Sequence, residues 1–173
     1  MIRLCTEADV PAIFEIINDA ALAYRGVIPE DCWKDPYMPE SELRREIEDG
    51  VEFFGYSDGG MLIGVMGLQH VDDVALIRHA YVRTINRGTG IGKQLLAHLR
   101  KQARARLLVG TWAAASWAIA FYQKQGFVTN PPVESRRLLL RYWKITERQL
   151  ETSIALSDSQ GIGGKSRATR RPA

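Results

Sequence analysis

Residues 75–93 read ALIRHAYVRTINRGTGIGK, and the rest of the chain can be interpreted around this stretch. It predicts a strand over residues 75–83, a glycine-rich turn over residues 87–92 and a helix that starts at Lys93. The first N–H groups of a helix have no partner within the helix, and the helix dipole places partial positive charge there. The stretch therefore predicts an anion-binding site between a strand and a helix.

Two well-known phosphate loops do not fit this turn. The nucleoside-triphosphate loop needs Gly, four residues, and then Gly-Lys-Ser/Thr. Arg87 stands where its first glycine would be, and Gln94 replaces the hydroxyl residue. The dinucleotide fingerprint also fails, because its third glycine would fall at Lys93. What remains is the pattern Arg-x-x-Gly-x-Gly, formed by Arg87, Gly90 and Gly92 directly after a strand.

This pattern resembles the pyrophosphate loop of the GNAT superfamily of acyl-CoA-dependent N-acetyltransferases, Gln/Arg-x-x-Gly-x-Gly/Ala. A second segment supports the resemblance, because residues 118–127, AIAFYQKQGF, are similar to the family's A-x-x-x-Y-x-x-x-G-F. The resemblance covers residues 1–157 and implies one GNAT domain. Its expected fold is α/β (α+β), with a central mixed and twisted sheet flanked by helices.

The resemblance also implies an activity and a set of site residues. The activity would be transfer of the acetyl group of acetyl-CoA to a primary amine of a small molecule or to a peptide N-terminus, without a metal. Tyr122 would be the general acid beside the CoA sulfur, since a tyrosine hydroxyl with a pKa near 10 carries its proton at neutral pH. The residues expected to bind the cofactor are Val82, Arg83, Thr84, Arg87, Gly88, Thr89, Gly90, Ile91, Gly92 and Lys93.

The group that would deprotonate the amine is not identified by the resemblance. The family often places a glutamate on the central strand or on the next one, and the matching positions here are Leu76 and Gly110. The asparagine that often precedes the tyrosine segment is replaced by Ala115. His79 is a candidate base, and a structural histidine is the alternative. The missing carboxylates also leave open a CoA-binding sensor or regulatory domain without turnover.

The composition is typical of one soluble globular domain. The chain has 173 residues, 46% of them hydrophobic and 25% charged. No apolar run approaches the roughly 20 residues of a membrane span, and the N-terminus does not resemble a signal peptide. Two cysteines, Cys5 and Cys32, do not make a disulfide framework. We therefore expect a cytoplasmic protein with reduced thiols and no membrane partner.

Charge is unevenly distributed along the sequence. Residues 1–74 carry 16 acidic and 5 basic residues, a net charge of −11, whereas residues 75–157 carry 3 and 14, a net charge of +11. A basic half with a phosphate loop suits coenzyme A, and an acidic half suits a cationic amine. The alternative is that these charges interleave in space and cancel.

Periodicity and turn residues predict the remaining elements. Expected helices span residues 7–24, 42–49 (with Ser41 as N-cap), 93–106, 116–125 and 134–143. Expected strands span residues 2–4, 51–57, 61–71, 75–83, 107–112, 127–129 and 151–157. The connection 26–40 contains Trp33, Tyr37 and Met38, which either line an acceptor pocket or anchor the loop.

Residues 158–173 are expected to form a disordered basic tail. Its basic residues could contact nucleic acid, but we expect a solvated, inert segment. The sequence leaves a homodimer open.

Overall fold

Seven strands form one sheet in the computed structural model, which describes residues 1–159. The strands are β1 (Ile2–Leu4), β2 (Glu52–Asp58), β3 (Met61–Val71), β4 (Val74–Val82), β5 (Arg106–Trp112), β6 (Phe127–Thr129) and β7 (Ser153–Asp158). Their order across the sheet is β1-β2-β3-β4-β5-β7-β6. The pairing of β4 with β5 is parallel and the other pairings are antiparallel, so the sheet is mixed, as expected from the sequence.

Six helices cover the two faces of this sheet. They are α1 (Val10–Ala21), α2 (Glu40–Glu48), α3 (Ile91–Gln102), α4 (Ser116–Lys124), α5 (Pro132–Tyr142) and α6 (Glu147–Glu151). Leucines of α3 and Tyr122 of α4 pack on one face, whereas α1, α2 and α5 pack on the other. Successive side chains of a strand point to opposite faces, and the alternation of the apolar residues along β4 and β5 supplies both cores. The fold class predicted from the sequence is confirmed.

Several element boundaries differ from the prediction. The first helix ends at Ala21, and a 3₁₀ turn carries the chain on through Tyr24. The second helix begins one residue before Ser41, with Pro39 at its N-cap position, so the predicted serine cap is wrong. The helix predicted from residue 134 begins at Pro132, because proline is tolerated in the first turn of a helix, where its missing N–H costs nothing.

The segment before the last strand contains a short helix that the sequence analysis missed. Thr146 caps α6 by accepting a hydrogen bond from the backbone N–H of Gln149 at 3.2 Å, and the Gln149 side chain accepts one from the Thr146 N–H at 2.9 Å. This reciprocal capping box specifies the helix despite its five residues. The final strand therefore begins at Ser153 instead of at residue 151.

The last strand also extends past the predicted domain boundary at residue 157. Asp158 belongs to β7, is buried, and accepts a hydrogen bond from the Arg100 Nε at 2.8 Å. The Ser159 N–H donates to the Gly126 carbonyl at 3.2 Å. The rest of the predicted tail, residues 160–173, lies outside the described residues.

Charges from the acidic and basic parts of the sequence pair with each other in space. Within residues 1–159, ion pairs between the two parts are Arg78–Glu46, Arg83–Glu15, Arg141–Asp73, Lys144–Asp49 and Arg148–Asp31. These pairs support the second interpretation of the charge pattern, in which the charges interleave. Among the described helices, none has the length and apolar character needed to cross a membrane.

Candidate active site

The central strands β4 and β5 separate halfway along their length. Their parallel pairing runs from Val74 opposite Arg106 to Ile77 opposite Val109 and then stops. Directly after this point β4 contains a bulge, because His79 and Ala80 together stand opposite Met66 of β3. A bulge bends its strand and increases the local twist. It therefore accompanies the separation of β4 from β5 and the opening of a wedge between them.

The backbone of β4 presents unpaired polar groups to this wedge. The N–H of Arg83 donates to the Ile63 carbonyl of β3 at 2.9 Å, and Tyr81 stands opposite Val65. Successive residues in a strand direct their amide groups to opposite edges. The backbone groups of Ala80 and Val82 therefore point away from β3 and into the wedge.

A cavity of about 630 Å³ occupies the wedge. Its walls come from β4, β5, the glycine loop, the start of α3 and the inner face of α4. It brings together many of the residues selected from the sequence: His79, Val82, Arg87, Gly88, Gly90, Ile91, Gly92, Lys93 and Tyr122. A cleft of this size, lined by apolar side chains with a few polar groups, has the character of a small-molecule site.

The glycine loop has the backbone geometry of an anion site. Gly88 and Gly90 have φ values of 77° and 84°, in the left-handed region that favours glycine. Gly90 is the N-cap residue of α3, and its carbonyl accepts from the Gln94 N–H at 3.1 Å. The amides of the first helical turn, from Ile91 to Lys93, have no partner within the helix and lie at the cavity wall. They can bind a phosphate group there.

Tyr122 presents a hydroxyl group to the same cavity. Its ring is buried and packs against Phe121 and Phe127, with centroid separations of 5.0 Å and 5.4 Å. Burial raises the pKa of Tyr122 well above its ordinary value, so the hydroxyl stays protonated. Among the described residues none forms a hydrogen bond with this hydroxyl, although the residue lines the cavity. It is therefore free to donate a proton to a ligand.

Comparison with known proteins agrees with this arrangement. A family profile described as "Acetyltransferase (GNAT) domain" matches residues 49–129, which contain both sequence motifs and the wedge between β4 and β5. Residues 49–129 are therefore similar to a GNAT acetyltransferase domain. A search of curated proteins found no match.

Solved GNAT structures share the fold over most of this chain. The PaiA N-acetyltransferase of Thermoplasma acidophilum, solved in complex with coenzyme A, is 19% identical with a TM-score of 0.69, and the match covers 91% of this chain and 97% of that one. A ribosomal-protein-alanine N-acetyltransferase of Brucella melitensis is 27% identical with a TM-score of 0.60, covering 76% of this chain and 86% of that one. A corresponding enzyme of Escherichia coli is 20% identical with a TM-score of 0.66, covering 96% and 97%.

The backbone of His79 borders the wedge between β4 and β5, but its side chain points away from this wedge. The residue has a φ of 47°, which is strained for a side chain other than glycine. Its ring is stacked at 6.0 Å on Phe53 of β2, and β3 lies between β2 and β4. The ring therefore points across the sheet, away from β5, and is not positioned to deprotonate an amine in the wedge. The structural alternative raised by the sequence is the better description.

Glu46 holds the strained bulge and was not identified from the sequence. Its carboxylate lies 2.5 Å from the Nε2 of His79 and 2.7 Å from the Nη2 of Arg78. Burial of Glu46 would raise its pKa, but the hydrogen bonds and charges of His79 and Arg78 outweigh burial, and the pKa is lowered. No sequence signal connects α2 to β4, because the contact spans 33 positions in the chain.

Three of the residues expected to bind cofactor lie outside the cavity wall. The N–H of Thr84 donates to the Asp19 carboxylate at 2.6 Å, and the Arg83 guanidinium pairs with Glu15 at 2.9 Å. The Thr89 hydroxyl donates to the Asn86 carbonyl at 2.7 Å. In this structure these groups tie the end of β4 to α1 and close the loop on itself.

Arg87 lines the cavity, but it is also tied to α1. Its Nη2 donates at 2.7 Å to the carbonyl of Ala20, near the C-terminal end of α1. A guanidinium in this position adds a charged donor to a carbonyl in the last turn of the helix. The contact fixes the glycine loop against α1, while the positive charge remains at the cavity wall.

The two positions where GNAT enzymes often carry a glutamate cannot supply one here. Leu76 is fully buried in the core formed with α5. A Cβ added at Gly110 would lie 3.1 Å from Leu139 and 3.3 Å from Trp143, so a side chain at this position would meet these two residues in tight contact. Ala115, at the usual asparagine position, is likewise fully buried. These departures from the family pattern are therefore built into the packing.

The connection between α1 and α2 is anchored by its aromatic residues. Met38 is buried, and Trp33 and Tyr37 pack against the cluster formed by Trp112, Ile28 and Ala115. Trp33, Tyr37 and Met38 do not line the cavity directly. Anchoring is therefore their role, and Tyr24 at the start of the connection is the residue that reaches the cavity wall.

Proposed function

We propose that this chain is an N-acetyltransferase that transfers the acetyl group of acetyl-CoA to a primary amine of a small molecule or a peptide N-terminus. One observation carries the proposal: a single cavity joins the N-terminus of α3 to the unpartnered hydroxyl of Tyr122. GNAT relatives provide further support, since the PaiA enzyme was solved with coenzyme A. The thiols of Cys5 and Cys32 are both free, which suits the cytoplasm.

The cofactor would lie along groups that have no partner within residues 1–159. The amides of Gly88 to Lys93, with the side chain of Lys93, would hold the pyrophosphate. The backbone groups of Ala80 and Val82 would pair with the amides of the pantetheine arm, as an added strand does at a sheet edge. Among residues 1–159 no group of three His, Cys, Asp or Glu residues could hold a metal ion.

The reaction then needs few protein groups. The neutral amine attacks the thioester carbonyl, a C–N bond forms, and the C–S bond breaks. An N–H of the β4 backbone in the wedge can stabilise the negative charge that develops on the carbonyl oxygen. Tyr122, which burial keeps protonated, donates its proton to the departing thiolate. The proton released from the amine passes to water, and a proton from water restores the Tyr122 hydroxyl.

Three measurements test the proposal. Calorimetry on the purified protein should show binding of CoA, and a panel of primary amines should release CoA thiol from acetyl-CoA. Tyr122→Phe should lower kcat by about 10²-fold or more, the range expected for loss of a general acid, and leave CoA affinity unchanged. A Tyr122→Phe protein at full speed would assign Tyr122 to packing. CoA binding without turnover on any amine would favour a CoA-binding sensor.

A further inference from the structure

Five aromatic residues form one cluster, and three of them line the cavity. We call them the aromatic box: Tyr24, Tyr37, Tyr81, Trp112 and Trp117. Tyr24 is central, with ring centroids 5.7 Å from Tyr37, 6.4 Å from Tyr81 and 5.6 Å from Trp117. The indole N–H of Trp112 donates to the Tyr37 hydroxyl at 2.9 Å. The box combines residues of the α1–α2 connection, β4, β5 and α4.

The aromatic box and the Tyr122 hydroxyl share one space. Tyr24, Tyr81 and Trp117 line the same cavity as Tyr122, and Tyr24 is near enough to add to the rise in the pKa of Tyr122 that burial causes. Trp117 is 44% exposed although it is a large aromatic residue. Aromatic residues in such positions often serve as ligand contacts, because they offer a large apolar area at small entropic cost.

The box is electrically neutral. Burial raises the pKa of Tyr37 to about 12 and also raises those of Tyr24 and Tyr81, so all three hydroxyls stay protonated. Among the described residues that line the cavity, there is no aspartate or glutamate. A second ammonium group of a polyamine would therefore be desolvated without a counter-charge, which is costly. The basic side chains Arg87 and Lys93 lie at the end of the cavity near the glycine loop and would repel this second ammonium group.

The α1–α2 connection packs against the aromatic box. Ile28 is buried, and Trp33 and Tyr37 pack with it against Trp112. An ion pair of 3.0 Å between Asp31 and Arg148 links the connection to α6. This pair is exposed and adds little stability, so apolar packing holds the connection in place.

We propose that the cavity-facing side of the aromatic box, formed by Tyr24, Tyr81 and Trp117, is the acceptor subsite and that it takes the ring of a small arylalkylamine, with the amine directed towards Tyr122. This inference rests on the proposed acetyl transfer and narrows its acceptor. The flat, neutral walls match an aromatic ring.

A comparison of acceptors tests the inference on the full chain. The rate of CoA thiol release from acetyl-CoA would be measured with phenethylamine, spermidine and a short peptide with an N-terminal alanine. We expect kcat/KM for phenethylamine to exceed the other two values by about 10-fold or more. Preference for spermidine or for the peptide would overturn this inference and leave acetyl transfer standing. CoA binding without turnover on any acceptor would overturn the proposed function itself.

Matched variants locate the acceptor. Trp117→Ala removes one wall of the box and should raise KM for phenethylamine by about 2- to 12-fold, the equivalent of one aromatic pair, with unchanged affinity for CoA. Leu140→Ala removes a side chain that is 59% exposed on α5, away from the cavity, and should leave KM unchanged. An unchanged KM in Trp117→Ala, or equal changes in both variants, would show that the aromatic box does not bind the acceptor.

Discussion

Replacing Glu46 by Gln tests whether the bulge in β4 shapes the active site. Glu46 lies on α2, outside the cavity wall, yet its carboxylate contacts both Arg78 and His79. The three side chains are only 18%, 19% and 14% exposed. Glutamine has almost the same shape but no charge, so the substitution weakens these contacts without creating a cavity.

The size of the effect follows from the geometry. A hydrogen bond to a charged group contributes about 1.5–3 kcal/mol, and Glu46 accepts two in a partly exposed position. A left-handed backbone at a residue other than glycine costs about 1–2 kcal/mol, and at His79 these contacts offset that cost. Allowing for solvent screening and for the acceptor that glutamine keeps, we expect a loss of about 2–3 kcal/mol in the free energy of unfolding. For a chain of this size the melting temperature should fall by about 4–12 °C.

The pH dependence of this difference has a defined sign. The folded-state pKa of Glu46 lies below its ordinary value of 4.5. Its stabilising contribution is therefore complete above pH 4.5 and is lost as the pH falls through the lowered folded-state value. Denaturation of both proteins in urea between pH 5 and pH 3 should show the difference in unfolding free energy shrinking with acidity.

Activity distinguishes a positioning role from a merely stabilising one. If Glu46 fixes the wedge through the bulge, Glu46→Gln should lower kcat/KM for acetyl-CoA by roughly 10-fold or more at a temperature where the variant is folded. Glu48→Gln changes an exposed carboxylate on the same helix and should alter neither property. Unchanged kinetics in a destabilised Glu46→Gln protein would refute the link between the bulge and the site.

Two further substitutions separate the site from the scaffold. Gly90→Val should abolish CoA binding in calorimetry, because the valine side chain would enter the anion site. Gly59→Val is the control: it lies in the β2–β3 turn with a φ of 53°, carries similar backbone strain and should bind CoA normally. Asp158→Asn removes the buried charge that pairs with Arg100 and should cost about 2–4 kcal/mol in urea denaturation, discounted from a fully buried pair because Arg100 is partly exposed. Unchanged stability of the Asp158→Asn protein would mean that the last residues of β7 do not contribute to the folded domain.

The sequence predicted the features that depend on local patterns. The loop from Arg87 to Gly92 is recognisable by its glycine spacing, and Gly126 follows α4 with a φ of 88°, a conformation that favours glycine. Gly67 is a similar local signal, because a glycine inside a strand is typical of a bulge or a close backbone approach. In the structure, a Cβ there would lie 2.9 Å from the Arg78 carbonyl, next to the bulge. Glycines and turn residues act within a few positions of themselves, so a sequence reveals them.

The features that the sequence did not predict depend on distant contacts. The left-handed backbone at His79 has no local signature, and it is held by Glu46 from another helix. The Thr84 amide was expected to meet the cofactor, but Asp19, 65 positions away, accepts its hydrogen bond. Alternation along β4 could not decide the direction of the His79 ring, because the bulge interrupts that alternation.

The missing base and the aromatic box are two parts of one arrangement. Transfer of an ammonium ion into a neutral apolar pocket costs several kcal/mol, whereas its attraction to aromatic faces returns about 1–2 kcal/mol. The pocket therefore favours the neutral amine over the ammonium ion and lowers the amine's pKa on binding. A buried carboxylate near the amine would do the opposite by stabilising the ammonium ion. With the deprotonated amine selected by burial, the acid that this chain must still supply is Tyr122, which burial also keeps protonated.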